Sequence, residues 1–422
     1  MKYFFVFSIL IMVSSSIRAQ YKVSAEIRPR TEYREGYKRL NHDTLKGNLL
    51  TSQRTRIGMH FIRNKIDFNI AIQDVHTWGV GNEVISNNPA LRNSGIRMHE
   101  GWARVKFDSL HFIKVGRQAW VYEDQRLLSA RNWNQHGVTY DGLLYRFRNK
   151  EWQLDAGLSY NNENADIFRK PFPSDQYRTL NFLLLRKRIS TDAYLSAMQF
   201  LSGKDGINNP DRTYIKYTSG VFLKYAINNY HSKYNVYYQY GRNELNWKVN
   251  AWMLNINNTI DLNQSDLSFN ITYISGDDST SSRKKMENLF DLHYGKRHGF
   301  YGYMDHFSNL EAGTNKAGLI DLHVTFNNQS IKNVGLEAHY HYFSLAKPLF
   351  NKANQELSQS LGSELDFIFR WEPLKDVILS AGYSFILPTG TMEYIQNLEN
   401  SEFSHWAFIM LNVKPVIFES RE

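Results

Sequence analysis

Residues 334–343 read VGLEAHYHYF and residues 365–371 read LDFIFRW. In both stretches apolar residues recur at every second position. Successive side chains of a β-strand point to opposite faces, so this period of two indicates strands with one apolar and one polar face. The same alternation recurs along the chain after its first twenty residues, and it predicts an all-β fold.

The amino-acid composition indicates that the apolar strand faces contact lipid and the polar faces contact water. The chain holds 26 Tyr, 26 Phe and 9 Trp, which suits aromatic girdles at the two surfaces of a membrane. After the first twenty residues no segment reaches the roughly 20 consecutive apolar residues of a transmembrane helix. A mean hydropathy of −0.49 is compatible with a membrane barrel, because lumen-facing polar residues lower the average. We therefore predict a transmembrane antiparallel β-barrel with lipid outside and a polar lumen.

The N-terminus predicts the compartment. Lys2 precedes an apolar stretch over residues 3–13, and three serines then lead to a cleavage position after Ala19. This order is typical of a secretory signal peptide, and the apolar stretch is too short to span a bilayer. We expect residues 1–19 to be removed and residues 20–422 to form a single barrel domain in the outer membrane of a Gram-negative bacterium.

Eighteen strand-like segments follow, and the connections between them alternate short and long. Short periplasmic turns and long extracellular loops are the habit of outer-membrane barrels. The stretch 298–307 also has strand-like composition, but counting it gives an odd number of strands. Placing it inside the long 277–316 connection restores an even eighteen, which is the favoured prediction, with sixteen as the alternative.

Parity along the strands identifies side chains that would line the lumen. If Ile27, Ile57 and Met59 face lipid, the alternating arginines of the first two strands face inward. The predicted pathway is rich in basic residues, which would favour anions; it consists of Arg28, Arg30, Arg54, Arg56, Arg104, Lys106, Lys114, Arg117, Arg146, Lys216 and Arg370. The alternative for each arginine is an ion pair with a lumen carboxylate that braces the wall.

Other chemistry finds little support in the sequence. Cysteine is absent, which excludes disulfides, thiolate metal sites and cysteine nucleophiles. Serines, histidines and carboxylates are too scattered to nominate a catalytic triad, so no enzyme activity and no cofactor are predicted. His339 and His341 share a strand face, but no third metal ligand is apparent. The net charge of +9 is too small to imply a nucleic-acid partner.

One region of the chain resembles the alginate export porin family. It carries GRQ at 116–118, YEDQRLL at 122–128, NWNQ at 132–135 and VTYDG at 138–142. Supporting matches are YISGD at 273–277, NLF at 288–290, YGYMD at 301–305 and GSELD at 362–366. The resemblance implies an eighteen-stranded outer-membrane barrel whose basic pore passes an anionic polysaccharide outward.

The expected function is an outer-membrane channel for anionic solutes, such as acidic saccharides resembling alginate, with outer-membrane lipid and periplasmic export proteins as further partners. The alternative is a surface barrel with a closed lumen, whose long loops bind a glycan or a protein. Long loops in compact domains are often functional. We expect at least one of the connections 78–97 and 120–133 to fold into the barrel mouth.

Overall fold

The computed structural model describes residues 19–79, 95–278 and 281–420. Residues 1–18 of the predicted signal peptide and residues 80–94 of the predicted gating loop lie outside them. The strands follow one another along the chain as β1 (Gln20–Glu35), β2 (Asn48–Arg63), β3 (Ile66–Thr77), β4 (Arg97–Lys106), β5 (His111–Gln118), β6 (Tyr140–Arg148), β7 (Trp152–Tyr160), β8 (Thr179–Arg188), β9 (Tyr194–Asp205), β10 (Thr213–Ile227), β11 (Tyr230–Arg242), β12 (Lys248–Leu262), β13 (Ser265–Ile274), β14 (Met286–Glu287), β15 (Leu319–Asn328), β16 (Val334–Ser344), β17 (Ser360–Leu374), β18 (Val377–Pro388), β19 (Ser404–Val413) and β20 (Val416–Glu419).

Eighteen of these strands close into one antiparallel barrel. Each strand pairs with its predecessor in sequence, except that β15 pairs directly with β13. The ring closes where β1 pairs with β19, for example Thr31 with Ile409. The two-residue β14 only bridges to β12, and β20 continues β19 along β1. The predicted eighteen-stranded barrel is confirmed.

The two faces of the wall differ as the alternation predicts. On β17 the side chain of Phe367 is 48% exposed on the outer face, whereas its neighbour Ile368 is only 6% exposed on the inner face. Apolar side chains such as Met59, Leu254 and Phe269 cover the outside of the other strands. The inner face instead carries charged and polar side chains, most of them buried.

The connections are short at one end of the barrel and long at the other. Asn64, Asn228 and Asn263 each begin a two-residue turn with a positive φ, between +50° and +61°. Asparagine tolerates this left-handed conformation better than most residues, which suits it to tight turns between strands. We call this end, which also holds both termini of the barrel, the short-turn end, and the opposite end the long-loop end.

Two short helices occur in the long connections, α1 (Leu310–Gly313) and α2 (Gly390–Ile395). Among the described residues, no helix has both the length and the apolar character needed to cross a membrane. The strand-like stretch 298–307 forms turns rather than a barrel strand, as the parity argument predicted.

Candidate functional site

Residues 119–139, which we call the first inward segment, fold into the barrel from the long-loop end. Trp120 is almost fully buried, stacks on Tyr140 with ring centroids 4.7 Å apart and meets the edge of Phe182 at 5.1 Å. The hydroxyl of Tyr122 donates a hydrogen bond of 2.7 Å to Asp155 on the inner wall. The expectation that the 120–133 connection enters the barrel is confirmed.

Residues 288–318, the second inward segment, also pack inside. The ring of Phe307 lies 4.4 Å from that of Phe343, and both side chains are fully buried. The backbone N–H of Met304 donates to the Glu364 carboxylate at 2.8 Å, which ties the segment to β17. The two inward segments also contact each other, because Leu128 of the first forms a parallel bridge with Tyr294 of the second.

The inward segments leave a cavity of about 1140 Å³ along one side of the barrel interior. Its lining reaches from Ile378 and Asn412, near the short-turn end, to Asn48 and Thr77 at the long-loop end. Side chains from both ends of the barrel therefore line the same space. This cavity, which we call the basic cavity, is the candidate route for a solute.

Positive charge dominates the lining of the basic cavity. Among the described residues, a single carboxylate, Asp305, faces eight arginines and lysines: Arg28, Arg30, Arg34, Lys38, Arg131, Lys296, Arg297 and Arg370. Burial raises the pKa of Asp305, but His298, Tyr37 and Lys38 outweigh this effect and lower it overall, so the group stays ionised. Two further carboxylates lie just behind the lining: Glu32 pairs with Arg30 and Arg34, and Glu337 lies 3.7 Å from Arg370. Eight cations against these three carboxylates still leave an excess of positive charge.

Two predicted pathway residues anchor the first inward segment. Arg28 donates from Nε and Nη2 to Gln135 Oε1, at 3.0 and 2.8 Å, and from Nη1 to the carbonyl of Asn132 at 2.7 Å. Arg54 pairs with Glu26 and donates to Asn132 Oδ1 at 3.0 Å. Both guanidinium groups are almost completely buried. Their contacts are those of positioning residues that hold the segment against β1 and β2.

Two other predicted residues, Arg30 and Arg370, also line the basic cavity. Arg30 lines the basic cavity, where its guanidinium lies 4.3 Å from the ring of Trp133 and pairs with Glu32 at 3.1 Å. The side chain of Arg370 is 58% exposed, and its nearest carboxylate, Glu337, is 3.7 Å away. The structure thus brings Arg28, Arg30 and Arg370 together around one cavity.

The remaining inward residues lie outside that lining. Arg104 and Lys106 both pair with Asp67, and Arg146 binds Asp155 through two contacts of 2.7 and 2.5 Å. These three residues therefore fit the alternative interpretation, in which a basic side chain pairs with a lumen carboxylate and braces the wall. The other members of the predicted set have varied partners: Arg56 contacts Gln73, Lys114 lies over the Trp102 ring, and Lys216 pairs with Glu287 and Asp291.

The prediction for Arg117 is wrong. Its side chain pairs with Asp141 at 2.7 Å, and both groups are substantially exposed on the outer face. Arg117 has the parity of the outward residue Val115, whereas Lys114 and Gln118 have the inward parity. Strand parity places Arg117 outside.

Several cavity residues were missed because they lie on the inward segments. Arg131, Lys296 and Arg297 line the basic cavity, but they belong to irregular connections without a two-residue period. The only signal in the sequence was the length of those connections, which indicates function without indicating a direction for any side chain.

Comparisons with known proteins agree with this architecture. A family described as alginate export matches residues 19–388. Solved structures from Pseudomonas aeruginosa share the fold: OccK9 (OpdG) superposes with a TM-score of 0.63 at 11% identity, covering 93% of this chain and 98% of that one. The outer membrane protein OpdK gives 0.61 at 12% identity (94% and 98% covered), and OpdK with vanillate gives 0.58 at 12% (94% and 98% covered). No curated protein sequence matches the chain.

Proposed function

The chain belongs to the alginate export family, and from this premise we propose that it passes anionic solutes, acidic polysaccharides or oligosaccharides in particular, through an Arg- and Lys-lined lumen. The family and the fold establish the coarser statement: it is an outer-membrane barrel of the porin type. The proposal adds the anionic solute and its route through the basic cavity.

The composition of the basic cavity carries this proposal. Eight cationic side chains line the cavity against Asp305 and the two carboxylates behind the lining, Glu32 and Glu337, and this excess of positive charge inside a low-dielectric wall concentrates anions in the cavity. Arginine is suited to carboxylate groups because its planar guanidinium can donate two parallel hydrogen bonds. OpdK, which shares the fold, is known in a structure with vanillate, itself a carboxylate. That observation concerns OpdK alone and supports the proposal only by the shared fold.

The proposal extends to the rest of the chain. Residues 1–19 act as a signal peptide, and residues 20–422 form one barrel domain that carries out no catalysis. Its partners are the anionic saccharide, outer-membrane lipid and export proteins on the periplasmic side, with no role for nucleic acid.

A second function has one observation in its favour. The two inward segments fill much of the barrel interior, as the burial of Trp120, Tyr301 and Phe307 shows. A barrel closed by such segments would act through its long loops, by binding a glycan or a protein at the cell surface. Conductance separates the two functions, because a permanently closed barrel passes no current.

The test is ion selectivity in planar bilayers at low salt. We expect the purified channel to prefer anions, and we expect Arg34→Gln together with Arg370→Gln to lower the anion-to-cation permeability ratio. Arg117→Gln, on the outer face, is the matched control and should leave the ratio unchanged. Raising the salt from 0.1 to 1 M shortens the Debye length from about 10 to about 3 Å and should weaken the preference. A wild-type channel that prefers cations would overturn the proposal.

A further inference from the structure

A buried group of metal-binding side chains lies on the inner wall, apart from the basic cavity. It consists of Asp321 and His323 on β15 and His341 on β16, and one ligand atom from each lies within 4.8 Å of the other two. His323 is directly opposite His341 across the strand pair, and Asp321 is two residues before His323 on the same face. The pairing of β15 and β16 thus assembles the group.

Among the described residues, one hydrogen bond joins the members of this group, and each member also has an unpaired polar atom. His341 Nδ1 and Asp321 Oδ1 are 2.9 Å apart. The opposite atoms, His341 Nε2 and Asp321 Oδ2, and also His323 Nδ1, are buried without a hydrogen-bond partner among the described residues. Buried polar atoms are almost always paired with protein, water or an ion, so an unpaired atom on each of these three side chains favours a bound ligand. An ion would take the place of the hydrogen bond between His341 Nδ1 and Asp321 Oδ1, because these two atoms face each other, whereas His341 Nε2 lies on the other side of the ring.

The charge around the group also favours a cation. Glu364 lies opposite His341 on β17, and Asp366 lies two residues further along the same face. Both are fully buried, and Glu364 Oε2 and both oxygens of Asp366 lack partners within the described part of the chain. Among the described residues, no lysine or arginine forms an ion pair with Asp321, Glu364 or Asp366, although the buried Arg126 is near enough to interact electrostatically with Asp321. A divalent cation would offset this concentration of carboxylates.

The donor types narrow the choice of ion. Ca²⁺ and Mg²⁺ prefer sites made only of oxygen, whereas two imidazoles and one carboxylate suit Zn²⁺ and its first-row neighbours. Three protein ligands leave one position of a tetrahedron for water or for Glu364. We propose that Asp321, His323 and His341 bind one divalent transition-metal ion, Zn²⁺ in particular.

Neighbouring side chains provide the outer contacts that such sites use. His323 Nε2 lies 2.8 Å from the Thr325 hydroxyl and 3.1 Å from His339 Nδ1, which fixes the ring and leaves Nδ1 free for the ion. The ring of His323 stacks on that of His341 with centroids 3.7 Å apart and an angle of 17° between the ring planes. Because an imidazole binds a metal in the plane of its ring, the His341 ring must turn out of this stack when both histidines bind one ion. His339, singled out in the sequence as a potential ligand, is assigned this orienting position instead.

The site lies where the second inward segment docks on the wall. Phe343, two residues after His341, packs against Phe307 of that segment, and Glu364 accepts the Met304 N–H. A bound ion would therefore join β15 to β16 directly beneath the docked segment. This role does not depend on which solute the channel passes.

The experiment is metal binding to the full barrel in detergent, after removal of bound metal with a chelator. We expect one Zn²⁺ per chain by isothermal titration, and we expect His323→Gln with His341→Gln to weaken binding at least 100-fold. His231→Gln is the control, because His231 is paired with Asp261 near the short-turn end and lies far from the cluster in sequence. Asp321→Asn is a milder variant that keeps the side-chain shape.

Folding is checked by the gel mobility of unheated samples, so loss of binding can be separated from loss of the barrel. Co²⁺ serves as a second probe, since a four- or five-coordinate site with imidazole ligands gives visible d–d absorption bands. Bands in the wild type that are lost in Asp321→Asn support the proposal. A wild-type protein that binds no Zn²⁺, or binding that persists unchanged in the folded double variant, overturns it.

Discussion

Replacing Gln135 by Ala should release the first inward segment and raise the conductance of the channel. The Gln135 side chain lies between the segment and the wall, where Oε1 accepts two hydrogen bonds from Arg28 and Nε2 donates to the Ser52 hydroxyl at 3.1 Å. Alanine removes all of these contacts and leaves the buried guanidinium of Arg28 with only backbone carbonyls of the segment as partners.

The expected size follows from the two bonds that involve a charged group. Hydrogen bonds to a charge contribute about 1.5–3 kcal/mol each, so losing two costs about 3 kcal/mol at the lower end. Since 1.4 kcal/mol is a factor of ten, the ratio of docked to undocked segment should fall by about 100-fold. The remaining Arg28 contacts justify the choice of the lower figure.

Single-channel recording measures the outcome as longer or more frequent open periods of higher conductance. Gln355→Ala is the matched control, because Gln355 is exposed in a long loop and bonds only to Asn351 among the described residues. If Gln135→Ala folds into a heat-modifiable barrel and conducts like the wild type, Arg28 and Gln135 do not hold the segment closed. The segment would then be either immobile or irrelevant to conduction.

Other perturbations test the face assignment of the wall, the docking of the second inward segment and the loop at 80–95. Phe367→Arg, on the outer face, should cost about 2–4 kcal/mol near the bilayer midplane, whereas Ile368→Arg, on the cavity face, should cost less; equal losses in urea titrations would mean that the faces are wrongly assigned. Burial in the docked second inward segment lowers the pKa of His293 and His306 to about 4, whereas the ordinary pKa in a released segment is about 6.5. As the pH falls below 6.5, protons therefore bind the released segment in preference to the docked one. At pH 5 each histidine should weaken docking by about 2 kcal/mol. Conductance that does not rise between pH 7 and pH 5, with the barrel intact, would contradict this. Deleting 80–95 should also raise conductance; an unchanged current from a folded barrel would place that loop outside the mouth.

Much of the wall could be predicted because a strand repeats every two residues and one of its faces must meet lipid. That constraint identified Ile27 and Met59 as outward and Arg28 and Arg370 as inward. It was misapplied at Arg117, where a basic residue beside inward neighbours was taken for a lumen residue. It could not reach the inward segments, whose side chains follow tertiary contacts rather than a local period.

The proposed metal ligands could not be grouped from the sequence either. His341 was visible in the sequence, but its partners Asp321 and His323 precede it by 20 and 18 positions along the chain. Only the register between β15 and β16 shows that these residues meet. Strand parity gives the face of each residue, whereas register depends on the whole barrel and on the turn between the strands.

Because the inward segments pack inside the barrel, the outer face of the barrel wall contacts lipid and its inner face contacts protein. Outside, the apolar side chains leave water only when a membrane or detergent is present. Inside, Trp120, Phe290 and Phe307 leave water by packing against protein alone. Urea acts on surfaces that water can reach, and a wet lumen admits it before the lipid-covered wall yields. Hydrogen exchange should therefore show the inward segments opening at a lower urea concentration than the strands around them. At that concentration the interior of the barrel would be unfolded while the eighteen-stranded wall remains intact.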